Sequence, residues 1–598
     1  MSRFRLVNII RMETESNARF QSLREVARQR ILEILDMIQG QKFLAIDPSL
    51  VGPLSLIIEM SVLKEHGVSK VSQIVEKDIE SDSRDVIYIC RPTIQMMQLI
   101  SAHVKKGHDS KYEQHRYHLY MCPRATTVCE KILISNNVMI DFDTIDQINL
   151  FLIPLENDLL SMQMEKAFRE IVLDRDFSIY HYIARAILQI EHNYGPIQLK
   201  EGKGFASSQV LRILKMLEDD DSEYINEVPI SVFSSAVLID REVDMITPLC
   251  TPLTYEALID EVFGIANNII RVNPRVLEND SDRQIQISLT SADNVFAEIR
   301  DLNFCVLKPL LVEKLEYIDN TYKEKDQQKS VEELSKYMKK FKQAHKEASF
   351  VQNHLHLAIH ITNETVKNPF FNQNLDVEHS IIMGDSDTQI LENIERLIGM
   401  GEDLVVVLRL LCLLSVTQNG LKGKFFDFFR KEILQTYGFE HILTLSNLEK
   451  AGLLKKQEGK NTWNNLVKSF KLIKEDVNQR VPDDIAYAYA GYAPLSLRLV
   501  EGLYNTGWNV DSVRGLPGDY SCIRLATDDK KVGEKPLVLL FFVGGVTFAE
   551  VAAVRYLNKL PDARREFVIA TTHLINSRNF IDAVSEKIQN EIERSSID

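Results

Sequence analysis

Apolar positions in the first third of the chain alternate between two periods. Phe20, Leu23, Ala27, Ile31, Ile34, Leu35 and Ile38 recur at helical spacing with Gly40 placed as a C-cap, which predicts an amphipathic helix. Short apolar runs follow at 43–46, 86–90, 117–121 and 148–155, each succeeded by a turn signal or a helical stretch. Strands separated by helices need crossovers, and crossovers place helices on both faces of a parallel sheet. From about 249 to 492 the pattern changes to long helical periodicity with few strand candidates. The strand and helix alternation then returns, with a strand at 537–543, a helix at 548–557, a strand at 567–571 and a helix at 579–592. Two isolated strands cannot bury both faces, so they are expected to rejoin the sheet that the strand at 236–239 leaves. The fold class expected is α/β with a large helical insertion.

A length of 598 residues exceeds one compact core and suggests about three or four units. The 45% hydrophobic and 26% charged composition is that of a globular chain. The longest apolar runs, 404–414 and 537–543, fall short of the roughly 20 residues a membrane-spanning helix needs, and residues 1–11 carry arginines without a following apolar segment, unlike a secretory signal. Seven scattered cysteines with no CxxC pair suit a reducing compartment as mostly buried thiols, and a formal charge of −15 opposes general attraction to nucleic acid or anionic lipid. A cytosolic location is expected.

The residues that could carry chemistry are few. Val237-Leu-Ile-Asp-Arg-Glu-Val-Asp244 ends a buried strand with carboxylates Asp240 and Asp244, where open sheets usually bind ligands, so a magnesium or acid/base site is conceivable. Arg241 between them offers an ion pair instead, and Thr247-Pro248 and Thr251-Pro252 each resemble an N-cap followed by Pro at N1, which favours a structural turn. Gly544-Gly545 opens a helix after a strand, but Thr547 and Glu550 form a capping box there and no phosphate-binding pattern exists. Gly195, Gly202, Lys203 and Gly204 likewise fail as a P-loop. His356 and His360 with His354 nearby lack the glutamate and third ligand of a zinc site, while His103, His108, His115 and His118 fall in a polar stretch expected to be a solvated loop. No catalytic centre, cofactor or metal is expected.

Two apolar patterns point to partners. In the helix-prone stretch 330–355, Val331, Leu334, Met338, Phe341, His345, Ala348 and Leu355 follow an a/d spacing with Gln352 as the break, and the other faces carry Lys, Glu and Gln. The preceding stretch, 296–318, is the expected antiparallel partner, with a polar turn around 319–328 and a kink or helix start at Pro309. The hairpin is either core of the helical region or a protruding arm, and its charge favours the arm. In 425–443 an aromatic-dense helix reaches Gly438 and a new helix follows. Phe439 and Ile442, one turn apart, could form an exposed docking patch, although isolated surface apolar residues are common.

The run from Val237 through Asp240-Arg-Glu-Val-Asp244, Thr247-Pro248 and Leu253-Thr-Tyr-Glu-Ala-Leu-Ile-Asp-Glu261 to Phe263-Gly-Ile265 resembles the signature of the SM (Sec/Munc) family of SNARE regulators. Arg430 to Gly438, Leu448-Glu-Lys-Ala-Gly-Leu-Leu454, Ala490 to Ser496 and Phe541 to Glu550 resemble its vacuolar-sorting branch. The resemblance implies an SM-type arch of two parallel-sheet α/β domains plus a mainly helical domain with a protruding hairpin. The divisions expected are 1–135, then 136–246 with 493–598, then 247–492 with the hairpin at about 295–357. It implies a protein that is not an enzyme and that templates SNARE assembly for endosome and lysosome fusion and autophagy. Its implied setting is the HOPS or CORVET tethering complex, at the cytosolic face of those membranes. The implied partners are endolysosomal SNAREs, as syntaxin-like and R-SNARE helices, and the class C vacuolar-sorting subunit sixteen with the other tether subunits. Phe304, Val306, Lys308, Lys339 and Lys340 are the implied SNARE contacts on the hairpin, and Phe439 and Ile442 the tether contacts. Asp240, Arg241, Asp244, Thr247 and Pro248 stand as a structural signature.

Overall fold

The structure, a computed structural model, describes residues 20–76, 83–109, 115–220, 231–279, 283–323, 331–385, 387–505, 508, 510–524 and 536–586. The chain divides into two compact units, one of residues 1–163, 181–196 and 216–230, the other of residues 164–180, 197–215 and 231–598.

The first unit opens with helix α1 (Gln21–Met37) and carries a five-stranded parallel sheet. Its strands are β1 (Lys42–Ile46), β2 (Val68–Gln73), β3 (Asp85–Cys90), β4 (Arg116–Met121) and β5 (Phe142–Gln147), in the order β2-β1-β3-β4-β5. The helical stripe of α1 is buried at Leu23, Ala27, Ile31, Ile34 and Leu35, as the 3.6-residue period requires. Gly40 is not its cap. The helix closes at Ile38, whose extended backbone ends the run, and Gly40 supplies a positive φ two residues later. Helices α2 (Ile94–Asp109) and α3 (Thr127–Ser135) supply the crossovers. The expected strand at 148–155 is divided: β5 ends before it, and its second half becomes β6 (Ile153–Glu156), which turns back antiparallel on β7 (Leu159–Ser161). Because β5 pairs in parallel register with β4, the first sheet extends past the boundary expected at 135.

The histidine-rich stretch is not a loop at either end. His103 lies on α2, buried, with Nε2 2.7 Å from the Val75 carbonyl, and His118 lies inside β4 between Asp85 (3.2 Å) and Thr144 (3.3 Å). Residues 110–114 are outside the described residues. Polar partners on neighbouring elements let both rings sit in the core, which a reading of local polarity could not foresee.

In the second unit, β8 (Leu199–Lys203) and β9 (Phe233–Asp240) are followed by a small antiparallel pair, β10 (Ile269–Val272) and β11 (Ile285–Ser288), and then by β12 (Tyr520–Arg524), β13 (Leu537–Val543) and β14 (Glu566–Thr571). Within this unit the main sheet runs β12-β8-β9-β13-β14, parallel except for β12. The C-terminal strands therefore do rejoin the sheet: Val538 to Val543 pair with Ser235 to Asp240 across some 300 residues of intervening chain. Every residue of β13, Leu-Val-Leu-Leu-Phe-Phe-Val, is buried, the uninterrupted apolar run of a central parallel strand.

The insertion holds helices α4 (Tyr255–Phe263), α5 (Asn294–Ile299), α6 (Phe304–Lys323), α7 (Val331–Glu364), α8 (Pro369–Met383), α9 (Asp387–Met400), α10 (Leu404–Thr417), α11 (Gly423–Tyr437) and α12 (Ile442–Lys450). After it come α13 (Leu495–Asn505), α14 (Phe548–Lys559) and α15 (Ser577–Val584). No helix among the described residues is long and apolar enough to cross a membrane. Five of the seven cysteines are buried and none is in a disulfide, while Cys305 and Cys522 are exposed.

Leu540 has no accessible surface in the middle of β13. Leu540→Ala is expected to lower stability by about 2–5 kcal/mol, read as a lower urea midpoint with an unchanged slope.

Candidate functional site

The segment that follows β9 is rich in charged groups, and most of them are paired internally. Asp240 is 3% exposed and accepts from the backbone N–H of Ala206 (2.7 Å) and Ser207 (2.9 Å) and from the Ser207 hydroxyl, so its carboxyl caps the helix that starts at Phe205. Gly204 closes over it. A Cβ there would lie 2.1 Å from the Asp240 carboxyl, and the φ of +119° independently requires glycine.

Arg241 is fully buried and forks onto Glu550, at 2.9 and 3.0 Å, with a third bond to the Gly545 carbonyl at 3.3 Å. The expected local pairing with Asp244 is secondary, at 3.9 Å. Glu550 also accepts from the Ser496 hydroxyl (2.6 Å) and the Thr547 N–H (2.9 Å), while the Thr547 hydroxyl accepts from the Glu550 N–H, completing the expected capping box at the start of α14. Asp244 accepts from the Thr247 N–H (3.1 Å) and hydroxyl (2.7 Å) and the Ser496 N–H (3.0 Å).

Neither Thr-Pro pair caps a helix. Thr247 serves Asp244, Pro248 is buried within a 3-10 turn, and Thr251 donates its N–H (2.8 Å) and hydroxyl (2.7 Å) to buried Glu378. A buried carboxylate demands donors more strongly than a solvated helix end does. Further along the signature, Arg555 of α14 bridges Glu256 (3.0 Å) and Asp301 (3.1 Å), and Glu261 accepts from the N–H (3.0 Å) and hydroxyl (2.8 Å) of Ser577.

Burial, then the nearby Glu242, raises the Asp240 carboxyl from its ordinary 3.8 to about 7, against the pull of the Ser207 and Ala206 donors. That value would suit a general acid. The geometry does not, because the covered carboxyl leaves no space for a substrate. Lys203, from the failed P-loop, is buried with Nζ on the carbonyls of Leu516 (2.9 Å) and Gly518 (2.7 Å). His354 is held between Asp293 (3.0 Å) and the Tyr255 hydroxyl (3.0 Å), and His360 packs at a tilt on Phe263. Among the described residues no three His, Cys, Asp or Glu side chains gather as metal ligands would.

Two solvent-facing features remain. The first is the hairpin of α6 and α7. Its antiparallel sense follows from ring contacts: Tyr322, near the end of α6, meets Phe341 at 5.3 Å, while Phe304, at its start, and His354 both lie against Tyr255. The expected turn at 319–328 begins later, since α6 continues to Lys323, and 324–330 are outside the described residues. Pro309 sits inside α6, which starts five residues earlier at Phe304, so the proline leaves one carbonyl without its helical donor rather than starting the helix.

The buried seam of α7 is also shifted. Ala344, Val351 and Ala358 turn inward between the half-buried Phe341, Ala348 and Leu355, whereas Met338 (55% exposed) and His345 face out. His354, Leu357 and Ile361 continue the buried face toward the end of α7. Of the expected contact residues, Lys308 and Lys340 are exposed, Val306 is half-buried and Phe304 packs on Tyr255. The Lys339 side chain is outside the described residues. Lys308 and Lys340 stand near opposite ends of the hairpin, about 20 Å apart along its axis. Val312 and Tyr317 on α6 are exposed as well and carry no motif that would have singled them out.

The second feature is the turn between α11 and α12. Phe426, Phe429 and Ile433 bury the inner face of α11. Gly438, with a φ of +112°, reverses the chain. Beyond it Phe439 (72% exposed), Ile442 (43%) and Leu443 (49%) stand together on the outer face. Leu443 is legible from the sequence, lying four residues beyond Phe439 and so on the same helical face. The inner face of α12 is pinned: Asn447 Nδ2 donates to the Val584 carbonyl (3.1 Å) and Thr444 Oγ1 accepts from the Glu586 N–H (3.1 Å).

Residues 42–583 match the Sec1 family. The chain belongs to the Sec1 family. Among its relatives are the vacuolar protein-sorting-associated protein 33 homolog of Arabidopsis thaliana, 36% identical over 95% of this chain and 97% of that one, and vacuolar protein sorting-associated protein 33A of Rattus norvegicus, 37% identical over 94% and 97%. The Sec1 fold is evident at lower identity too. The Unc18 of the Unc18–syntaxin 1 complex from Monosiga brevicollis superposes with a TM-score of 0.60 at 16% identity, covering 94% of this chain and 99% of that one. The SM protein Vps45, solved with the Qa SNARE Tlg2, gives 0.59 at 16%, covering 94% and 97%.

The pH response tests whether Asp240 is structural. Its folded pKa of about 7 lies above its unfolded value near 3.8, so the stability its bound proton confers is complete below the unfolded value and is lost as pH rises through about 7. Against Asp240→Asn, which cannot ionise, the wild type should lose a few kcal/mol of relative stability between those limits, since each tenfold change in proton affinity corresponds to about 1.4 kcal/mol. Parallel stability profiles for the two proteins would show that the carboxyl is not held protonated.

Proposed function

We propose that this chain is a SNARE-binding subunit of a HOPS- or CORVET-type tether, which holds SNARE helices in register for fusion at endosomes and lysosomes. The observation that carries this reading is a long, charged helical hairpin with exposed Lys308, Val312, Tyr317, Met338 and Lys340, in a member of a family whose solved representatives include complexes with a Qa SNARE and a syntaxin. Helical partners are recognised by apolar anchors interleaved with charge, and holding them in alignment lowers the ordering cost of pairing. The work is binding rather than bond chemistry, as the covered carboxylates of the signature support.

In the same reading, Phe439, Ile442 and Leu443 dock a class C tether subunit, subunit sixteen of the vacuolar-sorting series, and membrane recruitment occurs through such partners. Exposed apolar residues on an anchored helix can bind without an ordering penalty, and a cluster of this kind supplies the centre of an interface. A purely structural subunit that never contacts SNAREs is the alternative.

Binding of the purified chain to endolysosomal SNARE domains and, separately, to the class C subunit distinguishes the two. Lys308→Glu with Lys340→Glu is expected to weaken SNARE binding roughly three- to tenfold, more at low salt, and to leave the tether subunit bound. SNARE affinity that is absent in the wild type, or unchanged in the variant, would overturn the template.

Phe439→Asp with Ile442→Lys is expected to have the reverse selectivity, with a loss for the tether subunit of about thirtyfold or more if the pair is a hot spot worth roughly 2 kcal/mol. Undiminished capture of that subunit by the folded double variant would rule out the patch.

A further inference from the structure

In the first unit the neighbouring strands β3 and β4 each lead, at their carboxyl ends, into an arginine: Arg91 after Cys90, and Arg124 after Cys122-Pro123. The carboxyl ends of parallel strands are where α/β sheets hold ligands. Arg91 is engaged, its guanidinium donating to the carbonyls of Met162 (3.4 Å) and Gln163 (3.2 Å). Arg124 is differently placed. Its guanidinium lies over the ring of Tyr182, 5.6 Å from the centroid, and its Nε is buried without a hydrogen-bond partner.

The helix Ser178–Tyr194 brings two more nitrogen-bearing side chains to the same place. His181 is adjacent to Tyr182, their rings 6.4 Å apart, and Arg185 lies one helical turn further on the same face as His181. The His181 Nδ1 is a second buried atom with no hydrogen-bond partner. Burial, then the positive charges of Arg124 and Arg185, hold the imidazole below its ordinary range, and no carboxylate is among the groups acting on it. A buried guanidinium Nε and a buried imidazole Nδ1, each without a hydrogen-bond partner, are a cost to the fold unless a ligand completes them. Tyr182 gives that arrangement its rigidity, because a guanidinium stacked on an aromatic face keeps its donor edge oriented.

We propose that Arg124, His181 and Arg185 form a binding site for a phosphate-type oxyanion, with Tyr182 as the platform that aims Arg124. Donors arriving from a strand end and from two positions of a facing helix suit a multivalent tetrahedral oxyanion better than a planar carboxylate, which a single guanidinium fork satisfies. The phosphate can belong to a soluble ester or to a lipid headgroup, which share this chemistry.

The test uses the full chain with pyrophosphate as probe, followed by calorimetry and thermal melting against sodium chloride at matched ionic strength. Pyrophosphate is expected to raise the melting temperature beyond the salt control, and Arg124→Gln and His181→Gln each to weaken binding about tenfold or more. Without anion, Arg124→Gln should melt no lower than the wild type, since it relieves like-charge repulsion, whereas a purely structural arginine would leave a destabilised variant. Flotation with phosphatidylcholine vesicles containing phosphatidic acid, but not with those containing phosphatidylserine, and loss of it in Arg124→Gln, would support the site and assign it to a headgroup. Pyrophosphate binding without flotation supports the site with a soluble phosphate. Pyrophosphate stabilisation no greater than that of the salt control, or equal affinity in the wild type and Arg124→Gln, would overturn the proposal.

Discussion

The second unit depends on one buried ion pair. Arg241, just beyond β9, and Glu550, in the first turn of α14 after β13, are 309 residues apart in sequence and meet in a two-pronged contact with almost no exposure to water. Either charge alone in that position would cost several kcal/mol, so the pair is tolerable only when both partners arrive. Their meeting fixes β13 beside β9 and thereby closes the sheet around the helical insertion. Ser496 reinforces the closure from the far end of that insertion, donating its hydroxyl to Glu550 and its N–H to Asp244.

The same logic repeats outward from the pair. Arg555, two turns along α14, takes Glu256 and Asp301, and Lys559 adds a second contact to Asp301 at 2.9 Å. Glu378 is satisfied by Thr251 and by the guanidinium of Arg409. Each network joins segments distant in sequence through groups that would be expensive to leave unpaired. Such contacts contribute less to net stability than to uniqueness, since an alternative packing of the insertion would strand several charges at once.

Much of this was legible in the sequence, for definite reasons. The strands β1, β3, β4, β9, β13 and β14 are apolar runs, and the α1 stripe and the Thr547–Glu550 capping box are local patterns that need no tertiary knowledge. Short strands such as β7 and β10 give too few residues for a period, and other strands are hidden by a polarity that has another cause. β2 and β5 are edges of the first sheet and carry Ser, Lys, Asp and Gln toward solvent, as edge strands do. β8 is internal but contains Lys200 and Lys203, both fully buried and both bonded to main-chain carbonyls, a solution invisible without the fold. Arg241 was correctly seen as half of an ion pair, yet a sequence offers only near neighbours as partners, and its true partner lies on another strand's helix. On the hairpin the helical period is legible in the sequence and its phase is not, because which of two adjacent rows faces α6 is decided by packing against that helix. The exposed apolar turn at Phe439 and Ile442 could be located from the glycine and the helical spacing, whereas the oxyanion cluster could not, since Arg124 and His181 lie 57 residues apart and share no motif.

A division of labour follows from where the polar groups spend their hydrogen bonds. The charged residues of the signature largely face one another and are buried, so on the proposed reading recognition falls on surfaces that the signature holds in place. The apolar turn illustrates how. Glu261, on the signature's first helix, accepts both donors of Ser577 at the start of α15, and Asp260 accepts from the Asn576 side chain at 3.1 Å. The far end of α15 then receives Asn447 of α12, through the Val584 carbonyl, and the chain just beyond it returns the Glu586 N–H to Thr444. Phe439, Ile442 and Leu443 are therefore presented by a helix whose opposite face is tied, through α15, to the buried carboxylates. That face is thus carried on a backbone already ordered, and the backbone entropy that would otherwise oppose docking has been lost during folding.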